Sequence, residues 1–163
     1  MKTPHLIFIL TTAVLVLSSI QGQAQEKVRR GTPADVNAAP VWVLPRVEGG
    51  NLHYRKFHSN AVKGEVSYVI YLPASYEKNE VARYPVVYWL HGKGASQLGL
   101  PTFARSFDEA IALGKCPPMI VVYPNGLPMG GYTDSPDGRQ PVESMIIRDL
   151  IPLIDATYRT QSN

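Results

Sequence analysis

The sequence predicts an α/β fold with an at least partly parallel sheet, and three features carry that prediction. Two continuous apolar runs, Pro85–Leu90 and Met119–Tyr123, have strand length and are apolar on both faces, as strands covered by helices above and below are. Between them, Thr102–Leu113 places Phe103, Phe107, Ala110 and Ile111 at helical spacing. After them a second helical stripe starts at Pro141 and runs through Val142, Met145, Ile146, Leu150, Leu153, Ile154 and Tyr158. Strands that alternate with helices form parallel sheets.

Taken in chain order, the first 24 residues are a leader. Lys2 supplies a positive start, and Leu6–Ile20 is an uncharged run. As a helix that run spans about 22 Å, short of the roughly 30 Å hydrocarbon core. Gly22-Gln23-Ala24 then offers small residues for cleavage. Residues 1–24 are therefore read as a secretory signal peptide, with an uncleaved anchor as the other reading. The mature chain is expected to be exported, periplasmic or extracellular, with no membrane attachment after cleavage. No cysteine follows the run, so a lipoprotein anchor is excluded.

Residues 25–50 carry Pro33, Pro40 and Pro45 and little periodicity, and are read as an extended linker. Residues 51–163 are the candidate domain. Asn51–Phe57 is a weak strand. Glu65–Leu72 is a stronger one, with Val66, Tyr68, Ile70 and Leu72 alternating onto one face and Val69 and Tyr71 onto the other. Gly114 stops the first helix. The loop from Pro124 to Gln140 is long for a connection, which points to a functional loop. Pro141 and Glu143 suit the first turn of the last helix, and Pro152 is expected to kink it. The two antiparallel-type strands come first and the parallel ones after. A helix that returns to the sheet with no strand after it leaves a crossover incomplete, so a fragment is expected.

Composition narrows the function classes. A 45% hydrophobic, 18% charged chain is globular rather than disordered. The net charge is +3, and the basic residues are scattered, adjacent only at Arg29–Arg30 and Arg55–Lys56, so no nucleic-acid surface is expected. A single cysteine, Cys116, excludes an internal disulfide framework and a multi-cysteine metal site.

The strongest local motif is His91-Gly92-Lys93-Gly94, directly after the run Pro85–Leu90. Glycines at the carboxyl end of a buried strand let backbone approach a ligand and expose N–H groups to a developing oxyanion. An ordinary Gly-rich turn has the same composition, and from these four residues both readings stay open. Gly94-Ala95-Ser96-Gln97-Leu98 comes near a nucleophile motif, but Ser96 reads better as a turn hydroxyl or cap. Asp134-Ser135-Pro136-Asp137-Gly138 has the make-up of a plain turn and lacks the ligands of a calcium loop, so no metal is expected. Tyr68, Tyr71, Tyr88 and Trp89 read as core aromatics rather than a stacking platform.

Longer segments resemble a known family. Val69-Ile70-Tyr71-Leu72-Pro73-Ala74-Ser75-Tyr76, followed by Tyr84-Pro85-Val86-Val87-Tyr88-Trp89-Leu90-His91-Gly92, is similar to the opening of the "putative esterase" family of α/β-hydrolases, which includes feruloyl-esterase-like, acetyl-xylan-esterase-like and esterase-D-like enzymes. Val122-Tyr123-Pro124-Asn125-Gly126 resembles the family's next strand and loop, and Leu150–Arg159 its helix before the nucleophile strand. The resemblance covers about Asn51 to Arg159, the N-terminal half of such a domain. It implies an incomplete α/β-hydrolase sheet and a serine-type carboxylic-ester hydrolase with no cofactor. The substrate class implied is a small-molecule or polysaccharide-linked ester.

By the same resemblance Gly92, Lys93 and Gly94 form the oxyanion loop, with the Lys93 N–H as donor. His91, Tyr132 and Asp134 are possible cleft-lining residues. The family's Gly-x-Ser-x-Gly does not occur in these residues, so no catalytic residue carries over; the nucleophile is expected beyond Asn163, and the chain alone is expected to be inactive. The alternatives are a fragment of a prolyl-oligopeptidase-like serine peptidase, which an added propeller domain would mark, and a non-catalytic exported binding or remnant protein. The coding sequence past Asn163 separates a truncated enzyme from a remnant.

Overall fold

The computed structural model describes residues 39–93, 99–128 and 131–161. The signal-peptide reading of 1–24, the linker up to residue 38, and the readings of Gly94 and Ser96 lie outside the described residues.

Four strands form one mixed sheet in the order β1-β2-β4-β3: β1 Leu52–Ser59, β2 Gly64–Tyr71, β3 Val86–Tyr88 and β4 Ile120–Pro124. β1 and β2 are an antiparallel hairpin, with Leu52 opposite Tyr71 and Ser59 opposite Gly64. β2 runs antiparallel to β4, and β3 runs parallel to it, Val86 opposite Ile120. The two apolar runs are thus neighbouring parallel strands, as their composition predicts.

Strand alternation sends successive side chains to opposite faces, and each face is covered by a helix. On one face Val66, Tyr68, Ile70, Ile120 and Val122 meet the C-terminal helix through Met145, Leu150 and Ile154. On the other, Val69, Tyr71, Val121 and Tyr123 meet helix α1, Leu100–Ala112, through Leu100 and Ala104. Gly114, at φ +66°, ends α1; its N–H reaches the Ile111 carbonyl and that of Lys115 reaches Ala110.

The C-terminal helix is continuous but not uniform. Val142–Ser144 (α2) passes into a π-helical segment, Met145–Leu150, and then into Ile151–Thr157 (α3). Pro152 lies in the first turn of α3. Proline has no N–H to give to the preceding turn, and the wider π turn just before it is where the helix absorbs that loss. The expected break at Pro152 thus takes the form of a change in helical pitch ahead of it.

Two readings need correction. β3 is shorter than Pro85–Leu90 and is not covered on both faces: Val87 is 37% and Leu90 50% exposed. The reason is position. β3 is at the margin of the sheet, whereas β4, with the same composition, lies inside it and is buried throughout. The second correction concerns the stretch before β1, which joins the compact unit from Pro40 onward. It is tied down: the Ser67 N–H donates to the Trp42 carbonyl at 2.9 Å, and Leu44 N–H to Ser67 Oγ at 2.9 Å. Side-chain and backbone anchors of this kind leave no periodic signature in a sequence.

Beyond α3 the chain returns to the sheet. Tyr84 N–H donates to the Arg159 carbonyl and Gln161 N–H to the Tyr84 carbonyl, both at 2.9 Å, a parallel bridge between Tyr84 and Thr160. The Arg159 guanidinium lies 3.8 Å from the centre of the Tyr76 ring and donates to the Tyr76 carbonyl. The side of Tyr84 that makes this bridge is the side of β3 that faces away from β4, because Pro85 and Trp89 bond to β4 instead.

Candidate active site

Parallel β3 and β4 end at one rim of the sheet, where ligands of open α/β folds bind. The turn after β3 carries His91, Gly92 and Lys93. The loop after β4 carries Asn125, Gly126, Leu127 and Pro128. Between them opens an apolar pocket of about 580 Å³. Trp89 and Leu90 from the end of β3, Leu100 and Phe103 from α1, Tyr123 from β4 and Leu127 form its walls, together with Leu44, Pro45 and Val47 from the segment before β1. Trp89 and Phe103 make a tilted aromatic pair, centroids 5.1 Å apart. The volume suits a small organic group and the lining suits an apolar one.

The turn after β3 is held by the loop after β4. The His91 N–H donates to Tyr132 Oη at 2.8 Å, and the two rings meet edge to face at 5.5 Å. His91 Nδ1 lies 3.0 Å from the Gly92 carbonyl, to which an N–H there donates. Burial raises the Tyr132 pKa above its ordinary value, and the bond from His91 lowers it in part. The phenol is therefore neutral near pH 7 and free to accept that bond. Gly92 has open space around it, and among the described residues the Lys93 N–H makes no backbone hydrogen bond.

The loop after β4 is conformationally loaded. Leu127 and Tyr132 adopt φ of 60° and 56°, which residues with a Cβ seldom do. Leu127 is held there by its N–H bond to Asn125 Oδ1 at 3.1 Å. The buried Asn125 amide in turn donates to the carbonyls of Val41 and Trp42. A Cβ at Gly126 would lie 2.4 Å from the Tyr132 ring, so only glycine lets that ring close over the loop. Two of the three non-glycine residues with positive φ among the described residues thus lie in this loop; the third, Lys63, is in the β1–β2 hairpin.

A family model described as "Putative esterase" matches residues 59–163. The chain belongs to this esterase family. It is 30% identical over 130 residues to an endo-1,4-beta-xylanase/feruloyl esterase of Xylanibacter ruminicola, a match that takes in 72% of this chain and 17% of that protein. It superposes on a ferulic acid esterase with TM-score 0.59 at 25% identity, over 67% of this chain and 45% of the other. A ferulic acid esterase of the anaerobic fungus Anaeromyces mucronatus gives TM-score 0.54 at 22% identity, over 71% and 47%. An S-formylglutathione hydrolase of Agrobacterium tumefaciens gives 0.52 at 19%, over 68% and 45%. The chain therefore spans less than half the length of these proteins, and its sheet is part of an α/β-hydrolase fold.

In this esterase chain the residues singled out from sequence divide. His91, Gly92 and Lys93 share the rim, and His91 and Gly92 reach the pocket wall. Tyr132 reaches the turn rather than the wall, through the His91 N–H. Asp134 points elsewhere: its carboxylate accepts from Ser144 N–H at 2.9 Å and Ser144 Oγ at 2.6 Å, which caps the start of the last helix and lowers its pKa. Asp137 turns to Ser135 and Arg139. Two carboxylates with separate partners do not converge on one ion. Trp89, read as core, is 37% exposed and stands in the pocket wall. Leu44, Pro45, Val47, Asn125 and Tyr123 were not visible as site residues. For Trp89 a signal existed, since it directly follows β3 and leads into the glycine turn.

Proposed function

We propose that the chain carries the oxyanion turn and the acyl pocket of an exported serine-type carboxylic-ester hydrolase acting on esters of aromatic acids of the ferulic kind. The observation that carries this is the placement of His91 and Gly92, which open the glycine turn, in the wall of the apolar pocket, at the carboxyl ends of parallel β3 and β4. In the reaction a serine attacks the ester carbonyl, the carbonyl oxygen becomes an oxyanion, and the alcohol leaves an acyl-serine that water hydrolyses. The Lys93 N–H would donate to that oxyanion, and the pocket would hold the acyl group. The Lys93 side chain has no part in this.

The serine, acid and histidine are not among these residues, and we infer that the chain alone does not turn over. The return of Arg159–Gln161 beside Tyr84 supports a nucleophile strand laid along β3 in parallel register. Export rests on the leader, and the product is expected to start at Gln25 on N-terminal sequencing. The test is hydrolysis of methyl ferulate. None above blank is expected from the 163 residues alone. Turnover is expected once a segment bearing Gly-x-Ser-x-Gly is joined after Gln161, as in a chimera with the corresponding part of the Xylanibacter protein. Turnover by the chain alone that Ser96→Ala abolishes would overturn the assignment.

A further inference from the structure

Asn125 is the one asparagine of the sequence that is followed by glycine. That pair is chemically reactive, because with no side chain on the next residue the Gly126 nitrogen meets little hindrance on its way to the Asn125 side-chain carbonyl carbon. The nitrogen gives its proton to base and bonds to Cγ. The bond from Cγ to Nδ2 breaks, Nδ2 takes a proton from water, and ammonia leaves a cyclic imide. Water then opens the imide to aspartate or isoaspartate.

The closed fold blocks this. Asn125 is 1% exposed, and Gly126 is buried beneath the Tyr132 ring. Nδ2 donates to the carbonyls of Val41 at 3.0 Å and Trp42 at 2.9 Å. Carbonyl oxygens have no proton to give a departing nitrogen, and burial keeps water from it. Those carbonyls belong to the segment before β1, which lies beside β2 where β4 ends. β4 pairs with Tyr68–Tyr71, and Ser67, one residue earlier, gives its N–H to Trp42 instead. Side chains make the other ties: the Leu44 N–H bonds to Ser67 Oγ, and the Leu44 carbonyl accepts from Tyr54 Oη, both at 2.9 Å. Val41 is 58% and Val43 40% exposed, and the glycine pair at the base of the segment, Gly49 and Gly50, has open space around it. A segment with few ladder bonds and much exposed surface opens at lower free energy than the sheet beside it.

We propose that Asn125 is a deamidation site gated by this segment: the amide becomes a carboxylate in molecules whose Val41–Val47 stretch has lifted away, and the change is one-way. A carboxylate at this position turns acceptor oxygens toward the Val41 and Trp42 carbonyls, where the amide offered donors, so the segment does not lock again. Leu44, Pro45 and Val47 stand in the pocket wall, and deamidation therefore opens that wall for good. The proposal holds whatever guest the pocket takes.

The test is to hold the 163-residue chain in mildly alkaline buffer and map its peptides by mass spectrometry for exchange of an amide for an acid. Asn125 is expected to convert in the folded chain. Ser67→Ala and Tyr54→Phe each remove one tie on Leu44 and are expected to speed conversion about tenfold. Ile154→Val loosens the core on the opposite face of the sheet and is expected to lower the urea midpoint without changing the rate. The converted chain, separated by ion exchange, and Asn125→Asp are both expected to be cut before β1 by a protease faster than the unaltered chain. No conversion in the folded chain under conditions that convert it in urea would show that the segment stays shut, and overturns the proposal. An unchanged rate in both Ser67→Ala and Tyr54→Phe overturns it, as does an equal acceleration in Ile154→Val, which would make global unfolding the gate. A converted chain as resistant to the protease as the unaltered one would show that the segment locks again, and overturns the one-way change.

Discussion

The Tyr132 hydroxyl accepts the backbone N–H of His91 at 2.8 Å, and this one bond ties the long loop after β4 to the glycine turn after β3. The two residues are far apart in sequence, and each occupies a segment with little regular structure of its own. Tyr132 holds φ at 56°, and Gly126 leaves room for its ring. The backbone of the proposed oxyanion turn is therefore set by a side chain from another loop.

Removing that hydroxyl should loosen the turn without disturbing the sheet. Tyr132→Phe leaves the His91 N–H without its acceptor and is expected to cost about 1–2 kcal/mol in urea unfolding. Amide exchange at His91 should accelerate while that of Val121 and Val122 in β4 stays slow. Gly126→Ala should give the same local pattern through the clash with the Tyr132 ring, and with a larger loss. Unchanged exchange at His91 in both variants would reject the coupling.

Asn125 links three segments at once. It holds the Val41 and Trp42 carbonyls with its amide and the Leu127 N–H with its oxygen, at 1% exposure. Asn125→Ala leaves those groups unsatisfied in a buried place, and a loss of about 2–4 kcal/mol is expected. Asn125→Asp keeps the acceptor and loses the donor, so it should release the Val41–Val47 wall of the pocket more than the Leu127 turn. Limited proteolysis before β1 reads the first effect, and exchange at Leu127 the second.

Sequence and structure agree where one residue's environment is local and periodic. β2 is legible because Val66, Tyr68 and Ile70 repeat with the period of a strand, and β4 because it is a short run apolar on both faces, each of which packs against a helix. α1 and its stop at Gly114 are legible for the same reason. β3 has the apolar composition of β4 yet none of its residues is fully buried, because composition reports what a strand could bury and not which place it takes in the sheet. The site divides along the same line. His91, Gly92 and Lys93 were visible as a contiguous turn. Asp134 had the right residue type in the right loop, but its acceptor atoms are taken by Ser144, ten residues on. Asn125 and Leu44 work through partners distant in the chain, and no spacing rule points to them.

Alkaline pH should unfold the protein before it reaches ordinary tyrosine chemistry in the native state. Burial raises Tyr88 and Tyr123 to about 12 and pushes Tyr68 and Tyr71 higher still, the latter helped by its bond to Asp108. The unfolded chain loses these protons near pH 10, while the folded chain keeps them. Stability from the raised groups is complete below about pH 10 and falls as pH rises toward 12, by at most about 1.4 kcal/mol per pH unit for each group. Urea midpoints should be flat from about pH 7 to 9 and drop beyond 10. The double variant Tyr88→Phe, Tyr123→Phe should show a shallower drop. A midpoint independent of pH up to about 11 would falsify this.

The outer edge of β3 should control self-association. Val86 and Tyr88 turn their backbone groups to the side away from β4, and among the described residues only Tyr84, just before the strand, is bridged there, by Arg159 and Gln161. Val87 and Leu90 add exposed apolar surface at the same margin. An unpaired, apolar edge is a template for another strand, and a lysine on the edge is a common way to blunt it. Sedimentation of the chain should show concentration-dependent association. Val87→Lys should shift it toward monomer. Val81→Lys, at a position 90% exposed and away from the strands, should leave it unchanged. Equal effects of the two lysines would mean that net charge governs association, and no effect of either would place the contact on another surface.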